Sequence, residues 1–248
     1  MSPREVSFRR LFVEASLREG GEVELDRAAA NYLLNVLRLS SGAEILAFNG
    51  RDGEWRAGIE ASGRKAAMLV PTSLLRAQTP RPDLLLLFAP LKHGRLDYMV
   101  QKAVEMGAGS IRPVFTARTV PSRINRDRMR ANMIEAAEQC GILSVPEVLP
   151  EMDLPAALEA LEPDRLLVFC DEEAPIGPPV QALTSPGGPG GPVAVLIGPE
   201  GGFDPEERAS LLRREPIRRI SLGPRILRAD TAAVAALAVV QVALGDWR

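Results

Sequence analysis

Short, wholly apolar runs alternate with helical patterns through the second part of the chain. They occupy residues 84–89, 166–170 and 193–197. Further strands are expected at residues 111–115 and 217–222, while helical patterns cover residues 95–106 and 126–140 and a final alanine-rich stretch that ends near residue 245. Runs of this kind are typical of strands that are buried on both faces, as in parallel sheets covered by helices. The sequence therefore predicts an α/β domain with a parallel sheet.

The beginning of the chain has a different pattern. Short strand-like runs alternate there with turn dipeptides such as Asn49-Gly50 and Asp52-Gly53, which favour hairpins. One helix is expected among them, capped by Asp26 and ended by Ser40-Ser41-Gly42. We therefore predict a small β-barrel domain over residues 1–76 and the α/β domain over residues 77–248, in which residues 175–192, rich in Pro, Gly and Ser, form a mobile surface loop.

Composition narrows the class of protein. The chain has 248 residues, of which 46% are hydrophobic, and a net charge of -2, so a globular protein with a packed core is expected. The sequence contains no long uncharged apolar run, so neither a membrane span nor an export signal is predicted. The two cysteines, Cys140 and Cys170, predict reduced thiols in the core and a cytosolic compartment. Neither they nor His93 has the spacing of a metal site, so no metal is expected.

The apolar run at residues 193–197 ends in the turn Gly198-Pro199-Glu200-Gly201-Gly202. A buried strand that leads through a glycine-rich loop into a helix presents backbone groups to a ligand. The spacing fits neither the phosphate-binding P-loop nor the dinucleotide fingerprint, and acidic residues in and after the turn would repel a polyphosphate. The turn therefore predicts a site for a neutral or cationic ligand.

Two sets of arginines favour a phosphate-binding face. Residues 112–130 contain six arginines against the single acid Asp127, and a second set lies within residues 213–228. Clustered arginines are typical of contacts with a nucleic-acid backbone. Because arginine is the common basic residue throughout this chain, a chance cluster is an equal alternative for either set. The small net charge argues against binding by bulk electrostatics alone.

Three segments together resemble one known family. They are Leu-Ile-Gly-Pro-Glu-Gly-Gly-Phe at residues 196–203, Ser-Leu-Gly-Pro-Arg-Ile-Leu-Arg-Ala-Asp-Thr-Ala at residues 221–232, and Glu-Ala-Ala-Glu-Gln-Cys at residues 135–140 before Val-Pro-Glu-Val. On these segments the chain resembles the RsmE family of ribosomal RNA small-subunit uridine methyltransferases, members of the SPOUT superfamily.

That resemblance implies a C-terminal SPOUT methyltransferase domain with a trefoil knot and an N-terminal PUA-like β-barrel. It also implies S-adenosyl-L-methionine as the cofactor, a homodimer, and methyl transfer to N3 of a uridine in 16S ribosomal RNA, free or in the small ribosomal subunit. A rival function is a non-catalytic RNA-binding dimer with a degenerate methyltransferase domain. The two intact loops argue against the rival, because a protein that had lost the cofactor would not need both.

The cofactor is expected in the two glycine-containing loops. Glycines let the main chain approach a ligand closely, apolar side chains supply walls, and a cationic sulfonium tolerates an acidic neighbour. We expect a bulky replacement of Gly201 to abolish cofactor binding. The expected cofactor-binding residues are Leu196, Gly198, Pro199, Glu200, Gly201, Gly202, Leu222, Gly223, Ile226 and Leu227.

Three residues are candidates for catalysis. Uridine N3 carries a weakly acidic proton, so methyl transfer needs a route for that proton. Arg228 is expected to hold a phosphate or the developing negative charge, the alternative being an ion pair with Asp230 or Glu200. Asp230 is a candidate proton acceptor, although an N-cap of the last helix is the favoured alternative. Glu200 is expected to face the cofactor, to order its loop or to bind N–H groups of the next helix. The sequence does not identify the general base.

RNA contacts are expected from exposed arginines in both domains. The alternative for each is a solvated surface residue with no partner. His93 is a further candidate for RNA contact and a weak one for a catalytic base. The expected RNA-binding residues are Arg9, Arg10, Arg118, Arg123 and Arg225.

Overall fold

The computed structural model describes residues 9–63, 66–120, 123–184 and 191–247, without the side chain of His93. The chain divides into two compact units. The first is drawn from Met1–Pro80 and Ala137–Val145, and the second from Arg81–Ala136 and Pro146–Arg248. The domain boundary expected between residues 76 and 77 stays a prediction.

The first unit is built on a five-stranded sheet with the order β1-β3-β4-β5-β2. Strands β1 and β3 are parallel, and the other neighbours are antiparallel. The alternating residues Ile45, Ala57 and Leu69 are fully buried on one face, as expected of a sheet with one face on a core. Its elements are β1 (Arg10–Phe12), β2 (Val23–Glu24), α1 (Arg27–Asn31), a π-helical turn (Tyr32–Val36), β3 (Glu44–Phe48), β4 (Glu54–Ala61) and β5 (Ala67–Arg76).

Helix α1 begins where the sequence predicts. The carboxylate of Asp26 accepts a hydrogen bond from the backbone N–H of Ala29 at 2.7 Å, which makes it the N-cap. The single helix expected up to residue 40 is instead one short α-helix followed by the π-helical turn, after which Arg38 takes a positive φ of 56°.

Arg10 is used inside the first unit. Its Nε lies 2.6 Å from Glu54 Oε1, Arg76 Nε lies 2.7 Å from Glu54 Oε2, and the Arg10 guanidinium stacks over the Phe48 ring at 4.3 Å. Three further N–H groups donate to the backbone carbonyls of Ala137, Glu138 and Ile142. The expected RNA contact does not fit this position, because the side chain is only 10% exposed and four of its five donors are occupied.

The same cluster controls the charge of Glu54. Burial raises the pKa of this carboxyl, but the hydrogen bonds from Arg76 and Arg10 lower it more, so the pKa lies below its ordinary value of 4.5. Glu54 is therefore ionised at neutral pH although it is 4% exposed. A buried carboxylate of this kind depends on its partners, because removing one leaves charge without compensation.

We expect Arg10→Ala to lower the free energy of unfolding by about 3 kcal/mol, since it removes one partner of a buried carboxylate. Urea unfolding followed by circular dichroism measures this. The matched control is Arg9→Ala, because Arg9 is exposed and its loss should change stability by less than about 0.5 kcal/mol. Equal effects of the two substitutions would contradict the role assigned to Arg10.

The second unit contains the predicted parallel sheet. Its strand order is β12-β10-β11-β6-β7-β8, with β9 paired to β7, and every pairing is parallel. Strands β6 and β11 are buried along their whole length. The elements are β6 (Leu84–Phe88), α2 (His93–Glu105), β7 (Ser110–Phe115), α3 (Arg126–Cys140), β8 (Glu147–Val148), β9 (Met152–Asp153), α4 (Leu154–Glu159), β10 (Leu166–Cys170), α5 (Pro179–Thr184), β11 (Val193–Ile197), α6 (Pro205–Leu212), β12 (Ile217–Ile220) and α7 (Ala229–Ala243). The last turn of α3, from Ala137 on, is counted with the first unit.

Helices cover both faces of this sheet. On one face, Leu154 of α4 and Leu211 of α6 pack with inward-pointing strand residues such as Phe169 and Leu196. On the other face α7 contacts β11, and α2 and α5 contact α7. The α/β prediction is therefore confirmed. Helix α3 has the bounds that the sequence predicts.

Two local predictions are wrong. Residues 175–192 were expected to form a loop, but α5 lies within them and its Leu183 is fully buried; residues 185–190 of this stretch lie outside the described residues. Cys140 was expected in the core, but it is the last residue of α3 and is exposed. Cys170, by contrast, is enclosed enough that burial raises its pKa to about 12, so it is a neutral thiol at physiological pH.

Candidate functional site

The carboxyl ends of β10, β11 and β12 meet at one edge of the sheet, because the three strands are parallel neighbours. The segments that follow them surround a cavity of about 240 Å³. We call these segments the acidic loop (residues 171–176), the glycine loop (residues 198–204) and the late loop (residues 221–228). Ligands of open α/β sheets bind at this edge, so the cavity is the candidate site.

Most of the predicted cofactor-binding residues line this cavity. Leu196 does not, because neighbouring strand residues point to opposite faces; it packs under α4 and α6, and Ile197 reaches the cavity instead. Gly201 does not line it either. The predicted residues that do are Gly198, Pro199, Glu200, Gly202, Leu222, Gly223, Ile226 and Leu227.

The glycine loop requires glycine at two places. Gly202 has φ of +68°, and a Cβ there would lie 2.8 Å from Glu172 Oε1. At Gly198 a Cβ would lie 2.5 Å from the Phe203 ring, which itself packs edge-to-face on Phe169 with 5.2 Å between centroids. Gly201 is different, because a Cβ there would meet only ordinary van der Waals contacts, the nearest to Arg118 Cβ at 3.6 Å.

A capping box fixes the end of this loop. The Asp204 carboxylate accepts from the N–H of Glu206 at 2.9 Å, and Glu207 Oε2 accepts from the N–H of Asp204 at 3.1 Å. Pro205 at the first helical position adds the preorganised φ of a helix start. Helix α6 therefore begins directly behind the glycines, which holds their backbone in one conformation.

Two arginines hold the outer side of the glycine loop. Arg95 of α2 forms an ion pair with Glu200, and Arg118 Nη1 donates to the Gly201 carbonyl at 2.8 Å. Of the roles considered for Glu200, the structure therefore supports ordering of the loop. Arg118, expected at the RNA, has part of its guanidinium engaged here while its side chain remains exposed.

Arg228 and Asp230 lie at the start of α7. Arg228 occupies the N-cap position without a side-chain capping bond, is exposed, and has no ion-pair partner among the described residues. Neither alternative pairing of Arg228 is present. Asp230 lies in the first turn of α7, where its Oδ1 accepts from the N–H of Thr231 at 2.9 Å. The N-cap alternative for Asp230 is therefore wrong, since the helix begins two residues earlier than a cap at Asp230 requires.

The remaining arginine candidates are spread over the chain. Arg9, before β1, is exposed in the first unit. In the second unit Arg123 is exposed before α3, and Arg225 is exposed on the late loop, where it lines the cavity. The His93 side chain lies outside the described residues. These positions leave Arg9, Arg123 and Arg225 available to a phosphate, unlike Arg10.

A charged cluster centred on Asp171 was not predicted from the sequence. This residue follows β10, is 4% exposed, and accepts hydrogen bonds from Arg208 of α6 at 3.0 Å and Arg219 of β12 at 2.8 Å. Asp171 and Arg208 both line the cavity. The only local sign of this cluster in the sequence is an acidic residue directly after a buried strand. Its arginine partners are far away along the chain, so the sequence does not pair them with it.

The cluster sets the ionisation of Asp171. Burial raises the pKa of this carboxyl, but the hydrogen bonds from Arg208, the Glu173 backbone and Arg219 lower it more, so the pKa lies below its ordinary value of 3.8. A carboxyl with a depressed pKa in the folded state stabilises the fold above its unfolded-state pKa, and this stabilisation is lost as pH falls through the folded-state value.

We therefore expect the stability gap between the wild type and Asp171→Asn to narrow in acid. The gap should be full at about pH 6 and should shrink below the ordinary pKa, because protonated Asp171 resembles asparagine. Urea unfolding of both proteins at about pH 6 and about pH 2.5 measures the gap. A gap that does not change with pH would show that the charge of Asp171 is not what stabilises the fold.

Two further kinds of feature are absent from the described part of the chain. Within it, no group of three or more His, Cys, Asp or Glu side chains is arranged to hold a metal ion. Among the helices of that part, none combines the length and the apolarity needed to cross a membrane.

Comparisons with known proteins agree with this architecture. A family model described as an RNA methyltransferase domain matches residues 78–241, and one described as an RNA methyltransferase PUA domain matches residues 25–71. The first alone spans more than half of the chain. The expected resemblance to RNA methyltransferases is confirmed.

Individual relatives narrow the family. A ribosomal RNA small subunit methyltransferase E of Synechocystis is 30% identical over 90% of this chain and 73% of its own length. A ribosomal RNA small subunit methyltransferase E of Neisseria gonorrhoeae, solved with S-adenosyl methionine, has a TM-score of 0.85 at 26% identity and covers 97% of this chain and 100% of its own. A methyltransferase of Legionella pneumophila, solved with the same cofactor, has a TM-score of 0.82 at 30% identity, with 96% and 98% covered. The chain belongs to the family of ribosomal RNA small subunit methyltransferases E.

Proposed function

We propose that this protein transfers a methyl group from S-adenosyl-L-methionine to N3 of a uridine in the 16S ribosomal RNA of the small subunit. One observation carries the proposal in this chain: three loops after neighbouring parallel strands enclose a cavity that two constrained glycines keep open. Family membership supports a methyltransferase of small-subunit ribosomal RNA. The choice of N3 of uridine comes from the resemblance to the RsmE family.

The residues of the cavity fit the cofactor. Ile197, Leu222 and Leu227 supply apolar walls for an adenine ring, and the glycine loop offers backbone groups close to a ligand. Glu172 is an exposed carboxylate on the cavity, and within the described residues it has no ion-pair partner. We assign it to attract the cationic part of the cofactor, since the neighbouring acids Asp171, Glu173 and Glu200 are paired with arginines.

Bound S-adenosyl-L-methionine supplies an electrophilic methyl group. The protein has to place uridine N3 in line with it and to receive the N3 proton. We assign Arg228 to a phosphate of the RNA or to the negative charge that develops on the uracil carbonyls, because its guanidinium is exposed and unpaired among the described residues. Asp230, two residues away, is our candidate proton acceptor. Glu200 contributes by fixing the glycine loop through Arg95.

The RNA is bound by exposed arginines on both units. Arg9, Arg123 and Arg225 are accessible for phosphates, and Arg118 has donors beyond the one that it gives to Gly201. A net charge of -2 offers little non-specific grip. We therefore propose that the substrate is folded RNA or the assembled small subunit in the cytoplasm, rather than a short flexible strand.

The assembly proposed is a homodimer. Val242 and Trp247, at the end of α7 and just after it, are 47% and 49% exposed, and a second copy would bury such side chains.

The proposal also includes the domain limits 1–76 and 77–248 and a trefoil knot in the second domain. The knot would bring the glycine loop and the late loop together, as their shared cavity requires.

Mass-spectrometric mapping of 16S ribosomal RNA tests the proposal. RNA from cells that lack the protein should miss one N3-methyluridine, and the purified protein with S-adenosyl-L-methionine should restore it on isolated small subunits. Calorimetry with the cofactor separates the rival function, because a non-catalytic RNA-binding dimer would bind RNA without binding S-adenosyl-L-methionine. An unchanged set of methylated uridines in the deletion strain would refute the activity.

A further inference from the structure

Asp171 is bonded within its own loop and to the elements that flank the other two loops of the cavity. It starts the acidic loop itself, and its Oδ1 accepts from the N–H of Glu173 at 3.1 Å. Its backbone N–H donates to the Ile220 carbonyl at 3.1 Å, at the residue before the late loop. The two arginines that reach its carboxylate belong to the elements that flank the other two loops.

Each of these two arginines links Asp171 to an element next to one of the other loops. Arg208 lies on α6, which the capping box starts directly behind the glycine loop. Arg219 lies on β12 and is two residues from the late loop; its Nη2 also donates to the Glu173 carbonyl at 3.2 Å. Since both guanidinium groups meet the same Oδ2 atom, at 3.0 Å and 2.8 Å, a shift of either element breaks a bond to one carboxylate.

We infer that Asp171 is a positioning residue that sets the spacing of the three loops and thereby the width of the cofactor cavity. The inference rests on the proposed function, because it takes this cavity as the cofactor site. Glu173 pairs with Arg208 at 3.2 Å, so two carboxylates face two guanidinium groups. The cluster is balanced in charge and adds little net attraction for a charged ligand; its contribution is geometric.

The same sheet contains a comparable cluster at its opposite edge. Arg165, before β10, pairs with Asp83 at 2.7 Å and Glu162 at 2.6 Å. Because five strand residues separate Arg165 from Asp171, the two clusters lie roughly 20 Å apart. None of the three residues lines the cavity. Asp83→Asn therefore makes the same chemical change away from the cavity, at a more exposed carboxylate (67% against 3%), and serves as the control.

The test compares Asp171→Asn with Asp83→Asn in the full chain. Calorimetry gives the affinity for S-adenosyl-L-methionine, thermal melting gives stability, and methyl transfer to small subunits gives kcat and the KM for the cofactor. We expect Asp171→Asn to weaken cofactor affinity by about tenfold or more and to raise this KM more than it lowers kcat. Asp83→Asn should bind normally. Normal cofactor affinity in folded Asp171→Asn would overturn the inference.

A second variant keeps the test decisive if Asp171→Asn does not fold. Arg219→Lys retains the charge but loses the planar fork that reaches both Asp171 and the Glu173 carbonyl, so it should show the same loss in milder form. Unchanged affinity in Arg219→Lys would then overturn the inference. Gly202→Val separates this result from the proposed function: if it abolishes binding while Asp171→Asn binds normally, only the positioning role fails, whereas normal binding by both overturns the cavity assignment.

Discussion

Gly202→Val is expected to abolish measurable binding of S-adenosyl-L-methionine while the protein remains folded. Gly202 has φ of +68°, and a side chain in this conformation costs about 1–2 kcal/mol. The valine side chain would also crowd the Glu172 side chain, because a Cβ at position 202 would already lie 2.8 Å from Glu172 Oε1. Together these effects should lower affinity by at least about 100-fold. Calorimetry measures the affinity, and circular dichroism checks the fold.

The neighbouring glycine supplies the control. Gly201 lines no part of the cavity, and a Cβ there meets nothing closer than 3.6 Å. Gly201→Val should therefore bind the cofactor within about threefold of the wild type, because surface substitutions away from special backbone positions usually have small effects. This differs from the expectation drawn from the sequence, which chose Gly201. Equal loss of binding in both variants would show that the loop responds to any added side chain.

Arg228→Ala is expected to reduce methyl transfer by about 100-fold while leaving cofactor affinity unchanged, as for the loss of one group that stabilises charge in the transition state. Arg228 is exposed at the N-cap of α7 and does not line the cavity. Its loss should therefore spare the bound cofactor and affect only the RNA or the developing charge. Single-turnover methylation of small subunits and calorimetry measure the two quantities.

Two companion variants define the result. Arg213→Ala removes an exposed arginine of the same set and should methylate at the wild-type rate. Arg228→Lys should recover part of the lost rate if a positive charge suffices, and none if the planar fork of arginine is required. Full activity in Arg228→Ala would remove Arg228 from the mechanism.

The sequence predicts the parts of this protein that depend on local patterns. Fully apolar runs such as residues 193–197 become the buried strands of a parallel sheet, and the Gly198 to Gly202 turn becomes the wall of a cavity. Both are local, since strand burial and backbone freedom depend on neighbouring residues. The glycine loop and the late loop could be paired only through the family resemblance.

The parts that the sequence does not predict depend on distant partners. Arg10 resembles any exposed arginine before a strand, yet its partners include Glu54 and the carbonyls near residue 140. Asp171 likewise meets Arg208 and Arg219, which are 37 and 48 residues away along the chain. No local pattern reports such pairs. Leu196 and Ile197 are both apolar, and the sequence does not tell which of them faces the ligand. The register of the sheet decides this, and it places Ile197 on the cavity.

The stretch Ala137–Val145 belongs to the first unit although more than fifty residues separate it from Pro80. It contributes the carbonyls that accept from Arg10 and Arg76, and its Leu143 is 5% exposed. A polypeptide that stops at residue 76 or 80 would therefore keep two arginines around Glu54 but lose the groups that complete their hydrogen bonding. A single cut in the linker would thus not isolate the whole of the amino-terminal unit, because one part of it is encoded beyond residue 136.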